Sequence, residues 1–270
     1  MKKEQQPLEE SRNGGILWKR WGLVLARSSL ITALFLIAGG QSSKSADATL
    51  EDKSTTLAAA SPPQVQTKES QAATTPAAAL ADLRAGNARF VAGQSKVRNL
   101  PAKVRATAAG QYPFAVVVSC LDSRTPVELV FDQGIGDLFN ARVAGNVLND
   151  DIVGSLEFAC KVSGSKLILV LGHSNCGAIK GAVDEVELGK LTGLLHKIKP
   201  AVAEVPEDVQ PRTSKNDAFV QKVAEANVRL VKRQIREQSP ILREMLDHGE
   251  IALAGGMYDL ATGEVHFFPN

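Results

Sequence analysis

In Lys166–Gly172 (KLILVLG) an unbroken apolar run follows the lysine, and this segment constrains the fold more than any other part of the sequence. Such a short run without polar alternation predicts a strand that is covered on both faces. Phe114–Ser119 (FAVVVS) is a second run of this kind. Because segments with helical spacing lie between such runs, the sequence predicts an α/β fold. We expect a single domain in which helices flank a mostly parallel central sheet.

The remaining elements follow from periodicity and turn residues. The predicted helices are Ala78–Ala92, Pro126–Asp132, Ile152–Val162, Cys176–Asp184, Gly189–Val202 and Asp217–Glu237. The further predicted strands are Asp137–Val143, Ile251–Met257 and Glu264–Phe268, the last two separated by a turn at Thr262 and Gly263.

The first 48 residues have the pattern of a secretory signal peptide. A basic leader is followed by the apolar stretch Ser28–Gly40 and then by Ala46-Asp47-Ala48, an A-x-A cleavage signal. The competing interpretation is an uncleaved anchor over Trp21–Ala38, but Arg27 would then lie inside the membrane at a high energetic cost. Cleavage before Thr49 is the favoured prediction. It implies export to a periplasm or extracellular space, with a thylakoid lumen or membrane association as alternatives.

Residues 49–76 are rich in Ser, Thr, Ala, Gln and Pro and contain no aromatic residue. A segment of this composition buries too little apolar surface to offset its chain entropy, which predicts a flexible linker. The folded domain is therefore expected over residues 77–270. The net charge of the whole chain is only +2, so a nucleic-acid partner is not expected. A membrane contact is expected only through an uncleaved N-terminal segment.

Two of the three cysteines and one of the four histidines follow predicted strands. Cys120 comes directly after the first strand, and His173 and Cys176 come after the third. The carboxyl ends of parallel strands share one edge of a sheet, where such folds build their sites. A catalytic zinc site has three N or S ligands and one open position, and this Cys₂His set matches it. A Cys120–Cys176 disulfide and simple burial of the thiols remain alternatives.

The residues next to Cys120 favour a catalytic site. In Cys120-Leu121-Asp122-Ser123-Arg124 the acid and the base are two residues apart on a tight turn, so they can reach one another and a metal. An arginine that binds the carboxylate through two hydrogen bonds would decide whether Asp122 ligates the metal or accepts from its water. The alternative is a surface ion pair of little energetic value. Cys160, in the predicted helix Ile152–Val162, is expected to be a buried small hydrophobe.

These segments resemble the motifs of the β-class carbonic anhydrases. Cys120–Arg124 is similar to the family's C-x-D-x-R motif, and Gly172–Ala178 is similar to its G-H-x-x-C-G motif. The resemblance extends from the helix at Ala78–Val91 to Gly256–Val265, which is similar to the family's G-x-Y-D-x-x-T-G-x-V segment. It covers almost the whole expected domain.

The resemblance implies an enzyme that reversibly hydrates carbon dioxide to bicarbonate and a proton by zinc-hydroxide attack. Cys120, His173 and Cys176 would hold one Zn²⁺ per chain, and Asp122 and Arg124 would form the catalytic dyad. The family's substrate positions correspond to Gln111, Phe139, Phe158 and Gly177, with Phe158 in place of a common tyrosine. The alternatives are a carbon disulfide or carbonyl sulfide hydrolase on the same scaffold and an inactive exported zinc-binding module.

The resemblance also implies a homodimer or homotetramer, in which Gln111 would act across the interface between two copies. Some relatives close the site when the aspartate ligates zinc, and those relatives carry Trp three residues before the first zinc cysteine. Val117 occupies that position here, although Arg142 matches another residue of the bicarbonate pocket that favours closure. We therefore expect a zinc site that stays open.

Overall fold

The protein is described from a computed structural model, in which residues 64–269 are placed. A five-stranded sheet forms its centre, in the order β2-β1-β3-β4-β5. Its strands are β1 (Ala115–Ser119), β2 (Leu138–Arg142), β3 (Leu167–His173), β4 (Ala252–Tyr258) and β5 (Val265–Phe267). The first four strands are parallel and β5 is antiparallel to β4. This confirms the α/β class and the mostly parallel sheet.

Ten α-helices are found in the described part of the chain. They are α1 (Lys68–Ala73), α2 (Pro76–Val91), α3 (Leu100–Thr107), α4 (Val127–Val130), α5 (Asp150–Glu157), α6 (Gly177–Val183), α7 (Gly189–His196), α8 (Lys199–Glu204), α9 (Asp217–Gln238) and α10 (Pro240–Asp247). A 3₁₀ turn at Ala144–Asn146 follows β2, and a π-helical turn at Phe158–Val162 extends α5.

The apolar runs of β1 and β3 are buried along their whole length because both sheet faces carry helices. Alternate side chains point to opposite faces of a strand. One set, which includes Val116, Val118 and Ile168, belongs to a core shared with residues of α5–α10. The other set, which includes Val117 and Leu169, belongs to a core shared with residues of α2 and α4. Neither strand therefore has a polar face.

The described structure begins in the segment that was expected to be flexible. Helix α1 lies inside the proposed linker 49–76, and its Gln71 is buried. The Gln71 amide donates to the carbonyls of Pro113 and Ser163 at 2.7 and 2.8 Å. The linker prediction is therefore wrong for Lys68–Ala73, because long-range hydrogen bonds hold a segment that has little apolar content. The predicted signal peptide or anchor, 1–48, lies outside the described residues.

Two further differences concern helices. The predicted helix Gly189–Val202 is two helices, α7 and α8, because Pro200 is accommodated only in the first turn of a new helix. Helices α3 and α10 were not predicted; each is short and begins with a proline in its first turn after a side-chain cap, Asn99 or Ser239. Across residues 64–269, no helix has both the length and the apolar character needed to cross a membrane.

The double-sided burial of β3 generates a stability prediction. Leu169 is 0% exposed, so Leu169→Ala removes buried methyl groups from a rigid site and should lower the free energy of unfolding by about 2–5 kcal/mol. Leu188, which is 66% exposed, provides the matched control, and Leu188→Ala should change it by less than about 0.5 kcal/mol. Urea denaturation followed by circular dichroism measures both. Equal effects of the two variants would contradict the placement of β3.

Candidate metal centre and catalytic dyad

Three buried side chains meet at the carboxyl edge of the sheet. Cys120 directly follows β1, His173 ends β3, and Cys176 is the residue before α6. Ser119 of β1 pairs with Leu171 of β3, so the register brings the two strand ends side by side. The ligand atoms of Cys120, His173 and Cys176 lie within 4.8 Å of one another. The structure therefore brings together the three residues that the sequence predicts as zinc ligands.

Gly172 allows His173 to sit where β3 is crossed by α9. A Cβ atom at Gly172 would lie 2.6 Å from the sulfur of Met257 and 2.8 Å from a methyl group of Val228. Since real Cβ atoms do not approach that closely, any larger residue would displace the Met257 side chain and press against Val228 of α9. The glycine of the motif thus serves the packing that holds the histidine in place.

The imidazole of His173 is oriented as a metal ligand requires. Its Nδ1 lies 2.8 Å from the carbonyl oxygen of Ser174, so the proton is on Nδ1 and Nε2 keeps its lone pair. Within the described residues, the buried Nε2 has no hydrogen-bond partner. Ser174 is itself anchored, because its backbone N–H donates to Tyr258 and its hydroxyl accepts from Leu260 N–H. A buried nitrogen aimed at two sulfurs is the arrangement that a metal satisfies.

The sulfur geometry fits zinc. The Sγ atoms of Cys120 and Cys176 are 4.0 Å apart. Two Zn–S bonds of about 2.3 Å at a tetrahedral angle would place them about 3.8 Å apart. A disulfide needs a separation of about 2.05 Å, and both thiols are free in this structure. The disulfide alternative therefore does not describe this state of the protein, and a Cys₂His zinc set does.

Hydrogen bonds favour the thiolate form of one cysteine. The bond with Cys176 lowers the pKa of the Cys120 thiol to about 4, and the bond from the backbone N–H of Gly145 adds to that effect, although burial opposes it. The same sulfur–sulfur bond raises the pKa of Cys176, with burial as the second cause. Thiolate is the form in which cysteine binds a metal.

Asp122 and Arg124 form a fork-to-fork pair beside the three ligands. The guanidinium donates to both carboxylate oxygens, from Nε to Oδ1 at 2.9 Å and from Nη2 to Oδ2 at 2.8 Å. The backbone N–H of Arg124 also donates to Oδ1 at 2.9 Å. The arginine side chain holds the pKa of Asp122 well below its usual range, although burial opposes this. Asp122 Oδ2 lies 3.9 Å from His173 Nε2, so the ionised carboxylate faces the metal set.

A second arginine braces the loop that carries this pair. Arg142 donates to the carbonyl oxygens of Cys120 and Asp122 at 3.0 and 2.6 Å. The single hydroxyl proton of Thr125 is shared between the same two carbonyls, with the shorter contact, 2.8 Å, to Asp122. These contacts were not predicted from the sequence. The Arg142 contacts join two segments about 20 residues apart, so no local pattern predicts them, whereas Thr125 binds carbonyls of its own loop.

Of the predicted substrate residues, Gly177 lies next to the metal set and Gln111 lies far from it. Gln111 is exposed and precedes the amino end of β1, whereas Cys120 follows its carboxyl end. A strand of five residues separates the two by roughly 17 Å. The structure therefore does not bring Gln111 to the metal set of its own chain. Gly177 is exposed at the start of α6, next to Cys176, and open space surrounds the position of its absent Cβ.

Phe139 and Phe158 pack together edge to face, with ring centroids 6.2 Å apart. Both line an open cavity of about 660 Å³, together with Val116, Asn140, Ala141, Asp150, Asp151, Ile152, Gly154 and Ser155. None of the three metal-set residues lines this cavity. It is wider than a carbon dioxide molecule needs, and Phe158 remains 51% exposed. The two phenylalanines predicted at the substrate pocket thus lie together, on a surface that is open to solvent in a single chain.

Cys160 lies apart from the metal set. It is 2% exposed in the π-helical turn, and burial raises the pKa of its thiol to about 12. Its environment fits the predicted role of a small buried hydrophobe. Val117, where some relatives carry Trp, is 0% exposed in β1.

Comparison with known sequences gives the same family throughout. The family model described as "Carbonic anhydrase" matches residues 115–265. A protein named carbonic anhydrase 2 from Mycobacterium tuberculosis is 36% identical over 196 residues, which cover 70% of this chain and 91% of that protein. A carbonic anhydrase of Mycolicibacterium smegmatis is also 36% identical over 196 residues, covering 70% of this chain and 92% of that protein.

Solved structures agree in fold. A β-carbonic anhydrase of Aspergillus fumigatus is 25% identical and superimposes with a TM-score of 0.57 over 71% of this chain and 89% of that chain. One of two β-carbonic anhydrases from Sordaria macrospora, described as tetrameric, is 24% identical with a TM-score of 0.57, over 63% of this chain and 87% of that chain. From the family match, the relatives and the Cys₂His set, the chain belongs to the β-class carbonic anhydrases, which are zinc enzymes.

Proposed function

We propose that this protein catalyses the reversible hydration of carbon dioxide to bicarbonate and a proton. The observation that carries the proposal is the ionised Asp122, held by Arg124 beside a buried Cys₂His set. A purely structural zinc site closes with a fourth ligand and needs no such pair. The carbonic anhydrase names of the relatives support the same reaction.

Cys120, His173 and Cys176 would hold the zinc. When bound there, zinc supplies a Lewis acid that makes water nucleophilic at neutral pH. Asp122 would accept a hydrogen bond from that nucleophile, which aims its lone pair at the carbon atom of carbon dioxide. Its carboxylate can do this over the whole neutral range because Arg124 keeps its pKa low.

Arg124 would also keep the site open. Each oxygen of Asp122 already accepts a hydrogen bond from the guanidinium, and Oδ1 accepts a second from the backbone. Asp122 would have to exchange these bonds in order to ligate the metal. Arg142 restrains the same loop through the carbonyls of Cys120 and Asp122, which adds to the cost of such a movement. An open fourth position is therefore the state we propose.

The substrate residues would come from two chains. Gln111 lies at the wrong end of β1 for its own metal set, and the cavity beside Phe139 and Phe158 is open in a single chain. A second copy that brings its Gln111 to this surface would complete the pocket, and Gly177 would leave room for substrate beside Cys176. The tetrameric description of the Sordaria macrospora enzymes supports a homodimer or homotetramer. Hydrolysis of carbon disulfide or carbonyl sulfide has no supporting observation among the described residues.

Export is proposed from the sequence of residues 1–48 alone. A basic leader, a short apolar stretch and an A-x-A signal would direct the domain to a periplasm or extracellular space.

The dyad generates a prediction for catalysis. Asp122→Asn keeps the shape but removes the charge that accepts the hydrogen bond, so kcat should fall by roughly 10²–10⁴-fold while bound zinc stays at one per chain. Stopped-flow hydration of carbon dioxide on the full chain, with zinc determined on the same sample, measures both quantities.

Asp184→Asn is the matched control for this variant. Asp184 is an exposed carboxylate that accepts hydrogen bonds from the backbone N–H and the hydroxyl of Ser214. Because these bonds do not involve the metal set or the dyad, its replacement should leave kcat unchanged. Full activity of Asp122→Asn would contradict the role of Asp122. A zinc-loaded protein of native sequence that does not hydrate carbon dioxide would contradict the proposed function.

The proposed two-chain site predicts complementation between two inactive variants. Gln111→Ala and Asp122→Ala are each expected to be severely impaired. When both chains are expressed together, mixed dimers would contain one site with an intact Asp122 and an intact Gln111. Statistical mixing should then restore about a quarter of the native sites. Activity that stays at the average of the two variants, in a sample shown to contain mixed dimers, would contradict a shared site.

A further inference from the structure

We propose that Asn227, which lies far from the metal set in sequence, is a positioning residue for Cys120. It would act through the backbone of Gly145, whose N–H donates to the sulfur of Cys120. The effect on the metal ligand follows from the zinc site, and only its effect on turnover rests on the proposed function.

Two hydrogen bonds connect Asn227 to the sulfur. The side-chain amide of Asn227 on α9 donates to the carbonyl oxygen of Gly145 at 2.9 Å. The backbone N–H of Gly145 donates to Cys120 Sγ at 3.3 Å. Gly145 thus lies between α9 on one side and the candidate metal ligand on the other. No other residue is needed to relate the two groups.

Gly145 requires an external restraint. Its φ of 66° and ψ of 19° lie in the left-handed region, which a glycine enters and leaves at little cost. A Cβ atom at this position would lie 2.8 Å from Ile198 Cδ1 and 3.1 Å from the Cβ of Ala178, so a larger residue would be both crowded and strained by the positive φ. Glycine, the residue that suits this position, has no side chain to restrain its backbone rotation. The bond from Asn227 holds the carbonyl on one side of the Gly145 Cα and so restricts the backbone rotations that would turn the N–H away from the sulfur.

The burial of Asn227 favours a specific role for its amide. Asn227 is 0% exposed, and the residues next to it on α9, Ala226 and Val228, are buried as well. Among the described residues its Oδ1 has no hydrogen-bond partner, which is a penalty that an apolar side chain would avoid. The favourable contribution of this amide is the hydrogen bond from Nδ2 to the carbonyl oxygen of Gly145. Packing alone does not account for an amide at this place.

The consequence for the metal site follows from the charge on sulfur. An N–H that donates to a thiolate draws electron density from it, and the sulfur then donates less charge to a bound metal. Partners of this kind orient and tune metal ligands, and their loss typically costs 10–100-fold in metal affinity or activity. Removing the Asn227 bond should release Gly145, lengthen the N–H···S contact and make Cys120 a stronger donor.

The test compares Asn227→Leu with Asn87→Leu in the full-length chain loaded with Co²⁺ in place of zinc. Asn87 is a buried asparagine that also donates to backbone carbonyls, those of Val130 and Gly263, but on the opposite face of the sheet. Its Oδ1 also accepts from the backbone N–H of Val265, so Asn87→Leu removes more hydrogen bonds than Asn227→Leu but does not reach Cys120. In Asn227→Leu the sulfur-to-cobalt charge-transfer band should move to longer wavelength, and in the zinc form kcat should fall by roughly 10–100-fold. In folded Asn87→Leu the band should stay at the native wavelength.

An unchanged band in Asn227→Leu, or an equal shift in both variants, would overturn the proposal. A second measurement uses the native sequence, so it tests the proposal even where the Asn227→Leu variant does not fold. In protein loaded with ¹¹³Cd²⁺, the amide proton of Gly145 should show a scalar coupling to cadmium through the sulfur of Cys120. Absence of that coupling, with Gly145 assigned, would overturn the proposal too. Both spectroscopic results are independent of carbon dioxide hydration, so a failure of the proposed function would be recognised separately.

Discussion

The burial of β1 and β3 between two helical layers is the constraint on which the rest of this structure depends. Every residue of both strands is buried, so neither strand can shift its register without moving apolar side chains out of both cores. Since Ser119 pairs with Leu171, the residues at the carboxyl ends of the two strands meet at a fixed distance. The positions of Cys120 and His173 are thus determined by packing that extends over the whole sheet, and the loops contribute only the final orientation.

That orientation is set by backbone hydrogen bonds. Arg142 and Thr125 bind the carbonyls of the Cys120 loop, Ser174 binds the ring of His173, and Gly145 donates to the sulfur of Cys120. None of these four residues is a metal ligand. Each uses a group of fixed geometry to hold one, which is how a site on loops attains the precision that catalysis requires. Arg124 does the same for Asp122, and because both of its hydrogen bonds are charge-assisted, it also sets the protonation state.

The sequence was informative where the signal is local. Apolar runs without alternation identified β1 and β3, and two short motifs identified the ligand set. It was uninformative where a residue acts at long range: α1 is held by Gln71 through carbonyls that lie 42 and 92 residues away, and Asn227 reaches Gly145 across 82 residues. A composition that indicates a flexible linker cannot reveal such bonds. The split of the predicted helix Gly189–Val202 is a different case, because Pro200 was visible in the sequence and its effect was underestimated.

The distribution of groups along β1 argues that one chain carries only part of a working site. Metal set and dyad lie at the carboxyl end of this strand, whereas the glutamine expected to orient substrate lies before its amino end. On the same surface, Phe158 is half exposed beside an open cavity, and β2 is an edge strand. Exposed aromatic surface and an uncovered strand edge are features that soluble proteins usually cover. In the proposed dimer a second copy would cover these features and supply its Gln111, so the contact that buries this surface would also complete the pocket.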